Sequence, residues 1–243
     1  MNLNRITEIE IDGEVYKKCG KDWVDCYYCL VNAVILNQIY EKIAGQLRLS
    51  ELSHDELVSL AGQLIDSDRM SPLAVKIYEQ IFEKTNLPAF SYEYLNDLAR
   101  SLKNLKLYSQ AITVVTYLLD HIDQFCEEWK RKIALQGLYA VLMSCLRGKG
   151  DPQEAIITYS KLFYKYGDGF LTSMICTSAA AAYCDLKNYE KALKMCDKAY
   201  ALQGGGTGEL NELSLVYKRL EKETGMSIPE LRRYLEHKHE NGY

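Results

Sequence analysis

The chain is 243 residues long, with 48% apolar and 26% charged residues and a net charge of −4. This balance excludes a disordered chain and supplies a sizeable core, in one long domain or two short ones. Lys and Arg are scattered and accompanied by carboxylates, as Lys218 is by Glu223 and Arg232 by Glu236, so there is no basic stripe of the kind a nucleic-acid backbone needs.

The first twelve residues, MNLNRITEIEID, contain no apolar core of signal-peptide length. The most apolar stretches, 133–146 and 174–184, are shorter than a bilayer span and carry Gln136, Ser144 and Ser178. Neither nucleic acid nor a membrane is expected as a partner. Eight cysteines without such a signal predict reduced thiols in the cytoplasm rather than a disulfide framework.

Residues 6–24 alternate apolar and polar around Asp12-Gly13, a two-residue turn flanked by Ile9, Ile11, Val15 and Tyr16. That pattern predicts a short β-hairpin as an N-terminal segment, 1–25. Two strands alone are marginal, so the hairpin is expected to pack on a first helix over 26–47, within a capping segment 26–52. Cys19, Cys26 and Cys29 form the one cysteine cluster. Ordinary thiols are the leading reading. Zinc ligation, with His54 as a fourth ligand, and thiol redox chemistry by Cys26-Tyr-Tyr-Cys29 at a helix N-terminus, with Trp23 just upstream, are the alternatives. No cofactor is required by any other motif.

From residue 53 to 204 the periodicity is helical, and the helix starts are marked. Ser53-His-Asp-Glu56 and Asp151-Pro-Gln-Glu154 are capping boxes, and Ser71-Pro72 and Asp151-Pro152 set Pro at the first helical position. Ala192, Cys196 and Ala199 line one face of a helix that follows Ala179, Ala180 and Tyr183 after a short polar turn, 186–188. Helices joined so tightly lie antiparallel, and small residues at the crossing let their backbones approach.

The same arrangement recurs around Ala155, Ala111 and Ala74, with apolar partners such as Met143 and Leu162, Leu98 and Val115, and Val58 and Ile81. It resembles the tetratricopeptide repeat, in a degenerate form without the family's Trp and with Pro88 as a loose closing proline. The resemblance implies an all-α superhelix of about four antiparallel helix pairs over 53–204. Gly204 to Gly208 reads as a linker rather than a phosphate loop, because no Lys-Ser/Thr follows and no strand precedes it. A helix over 209–223 and another from Ser227 to near residue 240 resemble a capping pair, 205–243.

The resemblance further implies a concave groove lined by the first helix of each pair. Projected onto this chain, it holds Asn96, Arg100 and Lys103 on the second pair, Ala140 and Ser144 on the third, and Met174, Thr177, Ser178 and Ala181 on the fourth. Glu56, Ser59, Gln63 and Asp66 fall on the same face of the first pair, and Glu93 and Asp97 on the second. Such a groove suits an extended segment or an amphipathic helix. The expected function is therefore a non-catalytic protein- or peptide-binding adaptor; a peptide-responsive regulator is the second reading. An alternative fate for the small residues is burial under the chain's own helix at 209–223. Four histidines and no nucleophile or acid–base motif give no basis for an enzyme. Tyr78, Tyr159, Tyr183 and Tyr189 fall at packing positions, whereas Tyr27, Tyr28, Tyr164 and Tyr166 lie outside the pattern.

Overall fold

A computed structural model describes residues 6–20, 22–64, 71–203 and 207–240, the side chains of 207–211 and 238–240 excepted. The projected Asp66 position and the glycines at 204–206 lie outside the described residues. The backbone divides into two compact units, Met1–Phe90 with Asn104–Gln110, and Ser91–Lys103 with Ala111–Tyr243.

The first unit opens with a three-stranded antiparallel sheet, one strand more than the expected hairpin. β1 (Glu8–Ile11), β2 (Glu14–Cys19) and β3 (Asp22–Val24) pair in chain order. Asp12 and Gly13 both take positive φ, 53° and 84°, the conformation that matches a tight turn to the twist of its strands. One face carries Ile9, Tyr16 and Trp23, all buried, and β1 packs on α1 (Ala33–Leu47).

Helix α1 begins seven residues later than expected. Asn32 caps it, accepting from Val34 N and Ile35 N, each at 3.0 Å. Ahead of the cap the chain is held as a loop, because Val24 bridges Leu30 and Val31 N donates to Trp23 O at 3.1 Å. α2 (His54–Gly62) starts at Ser53 with both halves of its capping box formed, and α3 (Pro72–Lys84) starts at Ser71, whose hydroxyl accepts from Ala74 N at 3.2 Å. α3 packs on α1 and α2. Lys84 Nζ ties its C-terminal end to the carbonyls of Ser50 and Leu52 at 2.8 and 2.6 Å.

The pairwise pattern continues along the chain. α4 (Tyr92–Asn104) and α5 (Tyr108–Asp120) are joined by a short turn in which Lys106 has φ 64°. A single-turn α6 (Ile122–Phe125) precedes α7 (Glu128–Gly148) and α8 (Pro152–Tyr166). α9 (Ser173–Asp185) and α10 (Tyr189–Ala201) follow, then α11 (Thr207–Thr224), which begins two residues before the expected 209, and α12 (Ile228–Glu240). Asp151 accepts from Glu154 N at 3.1 Å, and Glu230 accepts from Ser227 N and Oγ at 2.8 and 2.6 Å, so the later predicted starts are also made by capping side chains.

Ala74, Ala111, Ala155 and Ala192 are each 0% exposed. Each stands at the third or fourth position of the second helix of a pair, α3, α5, α8 and α10, so the repeat register holds across both units. The result is an all-α protein built of adjacent helix pairs with a small N-terminal sheet. Among the described residues no helix is long and apolar enough to cross a membrane.

Candidate functional site

Helix α4 shows why a surface is available. Its sequence buries Leu95, Leu98, Ala99 and Leu102 on one stripe. Turning outward are Glu93, Asn96, Asp97, Arg100 and Lys103, at the three- and four-residue spacing that lines one helix face. Glu93, Asp97 and Arg100 are exposed, and Asn96 and Lys103 are half-buried. Arg100 lies close enough to Tyr92 to oppose the upward push that burial and Cys126 give that phenol. Lys103 acts likewise on Cys145, whose thiol burial carries to about 11. Neither cation has a carboxylate partner among the described residues. The stripe thus carries acid toward its N-terminal half and base toward its C-terminal half.

Glu56 and Ser59 of α2 are also exposed and Gln63 is half-buried, but the α7 and α9 part of the projected groove is largely closed. Ala140, Thr177 and Ala181 are 3%, 5% and 6% exposed and belong to the interior rather than to a binding surface. Ala140 and Ala181 share one buried cluster with Ile175, Ala179 and Leu220. The cause is neighbouring helices of the same unit: α9 packs on α7, α8, α10 and α11 at once. A helix covered on so many sides must be apolar or small nearly all round, and α9 buries Ile175, Cys176, Thr177, all four alanines 179–182 and Cys184. Ser144 and Ser178 are half-buried and Met174 is exposed, so they alone of the projected α7 and α9 groove positions reach solvent.

Helix α11 is held there by apolar contact and by charge. It buries Leu213, Val216 and Leu220. Asp185, at the end of α9, accepts from Arg147 Nε of α7 at 2.8 Å and from Arg219 Nη1 of α11, and Arg219 Nε donates to Glu223 at 2.6 Å. Side-chain exposures of 23%, 24% and 34% along Arg147, Asp185 and Arg219 leave this ladder partly desolvated. Arg147 is therefore engaged in holding these helices together. Asp197 makes a second link, accepting from Tyr217 OH at 3.1 Å and from Arg232 Nη2 at 2.5 Å.

An open cavity of about 690 Å³ lies where the α9–α10 turn meets α12, lined by Leu186, Tyr189, Glu190, Glu223, Leu231 and Tyr234 among others. Both carboxylates are engaged, Glu190 by Lys194 at 2.8 Å and Glu223 by Arg219 at 2.6 Å. The cavity consequently presents no unbalanced charge from either.

The cysteine cluster is not brought together as a ligand set. Cys19 sits opposite Asp22 at the β2–β3 turn, while Cys26 and Cys29 lie past the other end of β3. An extended segment from residue 22 to 26 covers roughly 13 Å, and Zn–S bonds of about 2.3 Å cannot span it. His54 instead packs against Phe90, the rings tilted by 40° with centroids 4.7 Å apart. Among the described residues no three His, Cys, Asp or Glu side chains stand as a metal-binding group. Cys26 and Cys29 also precede the α1 N-terminus rather than form it, so the helix dipole does not reach them as expected.

Among the tyrosines, Tyr159 is buried and Tyr78, Tyr183 and Tyr189 are half-buried, in keeping with packing. Tyr166 is half-buried too, stacked on Phe170 at 4.4 Å. Tyr27, Tyr28 and Tyr164 are 82%, 75% and 94% exposed. Two exposed apolar side chains that the periodicity did not single out, Trp129 and Ile133, stand four apart on α7. No known protein-family model matches the chain, and no curated protein matches it in sequence.

Proposed function

We propose that this chain is a non-catalytic binding scaffold of the tetratricopeptide type that holds a protein or peptide on the outward face of α4. The observation that carries the reading is the polar stripe of Asn96, Arg100 and Lys103. It is exposed or half-buried on a helix whose opposite face is fixed in the core. Packed adjacent helix pairs with buried alanines in register support the repeat assignment. A rigid helix presenting charged groups of both signs favours a partner with complementary charges, since rim charges set specificity and encounter rate. The inner faces of α7 and α9 take no part in this role, because helices of the same unit already cover them.

Charge reversal at Arg100 and Lys103 tests the idea without touching the core. The double variant Arg100→Glu, Lys103→Glu should keep the helical circular-dichroism spectrum and melting temperature. A partner retained stoichiometrically by the wild-type protein from its host extract should bind the variant about tenfold or more weakly, the cost of roughly 1.4 kcal/mol at a charged contact. Equal retention by both proteins would remove α4 as the site. Ala140→Arg and Ala181→Arg are unsuitable probes, since both would force a charge into the core.

A further inference from the structure

The eight cysteines fall into two classes. Cys145, Cys176, Cys184 and Cys196 are buried, and burial pushes their thiols up to about 11, 11, 11 and 12. Cys126 is half-buried and is also pushed up by burial. Cys19, Cys26 and Cys29 are exposed, and only the last two share one loop. Asp25 organises that loop: its Oδ1 accepts from Tyr27 N at 2.8 Å and from Cys29 N at 2.9 Å. Asp25 N donates to Cys29 O at 3.0 Å, and Tyr28 N donates to Asp25 O at 3.1 Å. The chain therefore folds back so that Cys29 faces Asp25, the residue next to Cys26. Cys26 lies inside the turn that Asp25 and Tyr28 close and Cys29 directly follows it, so a small loop adjustment suffices for the Cα span of roughly 4.4–6.8 Å that a disulfide requires.

We propose that Cys26 and Cys29 form a reversible dithiol–disulfide pair whose oxidant is a small disulfide of the glutathione class. One cysteine thiolate attacks the oxidised glutathione, forming a mixed disulfide and expelling one glutathione thiolate. The second cysteine, once deprotonated, attacks the protein-bound sulfur, closes the Cys26–Cys29 bond and expels the other. Two cysteine thiols are oxidised by two electrons, one glutathione disulfide is reduced, and the two protons end on the two glutathione thiols. Cys19 is excluded as the closing partner because β3 separates it from the pair. The closed ring spans Tyr27 and Tyr28, the latter already in the left-handed region at φ 62°, so oxidation fixes how two exposed aromatic rings are presented. This property is independent of the binding role of α4.

The test uses the full-length chain, incubated with oxidised glutathione, quenched with N-ethylmaleimide and digested with trypsin. Cleavage after Lys21 and Lys42 leaves both cysteines in one peptide, 22–42, with Cys19 in another. The expected peptide is lighter by two hydrogen atoms, takes up no maleimide, and recovers two on reduction. Cys26→Ser and Cys29→Ser, each in an exposed loop, should instead trap the remaining thiol as a stable glutathione adduct. The proposal is overturned if peptide 22–42 carries two glutathiones or two maleimides after oxidation, or if the disulfide joins Cys19 or a second chain.

Discussion

Cys196 illustrates what burial does to one residue. It sits on α10 with no exposure, and desolvation first, then Cys184 and Asp197, push its thiol up to about 12 from an ordinary 9.0. The folded protein therefore holds this proton more tightly than the unfolded chain does. Stability that depends on the neutral thiol is fully present below the ordinary value and is lost as pH rises through the folded one. Such a group can contribute a decline of up to about 1.4 kcal/mol per pH unit while the unfolded thiol is ionised and the folded one is not. Urea unfolding of wild type and Cys196→Ala, repeated from neutral to strongly alkaline pH, should show the variant falling less steeply once pH passes the ordinary thiol range. Parallel curves would assign the alkaline loss to other groups, such as Tyr159, which burial also carries to about 12.

Among the helices, α9 is the most tightly enclosed, and its four consecutive alanines are the reason its neighbours can approach so closely. Adding volume there has no low-energy outlet. Ala180→Leu should lower the unfolding free energy by about 1–3 kcal/mol, read as a reduced urea midpoint with unchanged slope. A neutral result would mean that the α9 packing is looser than its burial indicates. Ala74, Ala111, Ala155 and Ala192 were legible in the sequence because a small residue recurring at the third or fourth position of a helix has a local cause, the helix crossing. The α4 stripe was legible for the same reason, since one amphipathic helix contains both its buried and its outward positions. The start of α1 was misread because residues 26–31 are compatible with a helix, and the deciding interactions are a bridge from Leu30 to Val24 and the Asx geometry of Asp25. Asn32 was the available signal, a capping residue directly ahead of Ala33-Val-Ile-Leu. The third strand escaped notice because only three residues, one of them Trp23, carry it. The fate of Ala140 and Ala181 could not be read from their own helices. A small residue at a helix face serves equally well as the floor of a groove or as the seat of another helix, and here the choice is made by segments tens of residues away.

At the scale of the whole chain, the question is whether α11 and α12 are a removable occupant of the groove or a fixed part of the second unit. Leu213, Val216, Leu220 and Leu231 are all buried, and each such side chain contributes about 1.5–3 kcal/mol. Together they rival the entire stability of a typical domain, roughly 5–15 kcal/mol. The Arg147–Asp185–Arg219 ladder adds a second cost to removal, since it would leave Asp185 with one of its two partners. A peptide ligand would have to replace all of this before gaining any affinity of its own, which argues for a fixed end pair. Leu231 stands at the fourth position of α12, where the preceding pairs have alanine, and α12 packs on α11 less extensively than α10 does on α9. A chain ending at Gln203 should therefore melt at a lower temperature, and the Cys184 and Cys196 thiols should react with a disulfide reagent many times faster than in the full chain. If the shortened protein instead kept its melting temperature and its slow thiols, α11 and α12 would be a displaceable plug, and the covered faces of α7 and α9 would regain their place as a binding groove.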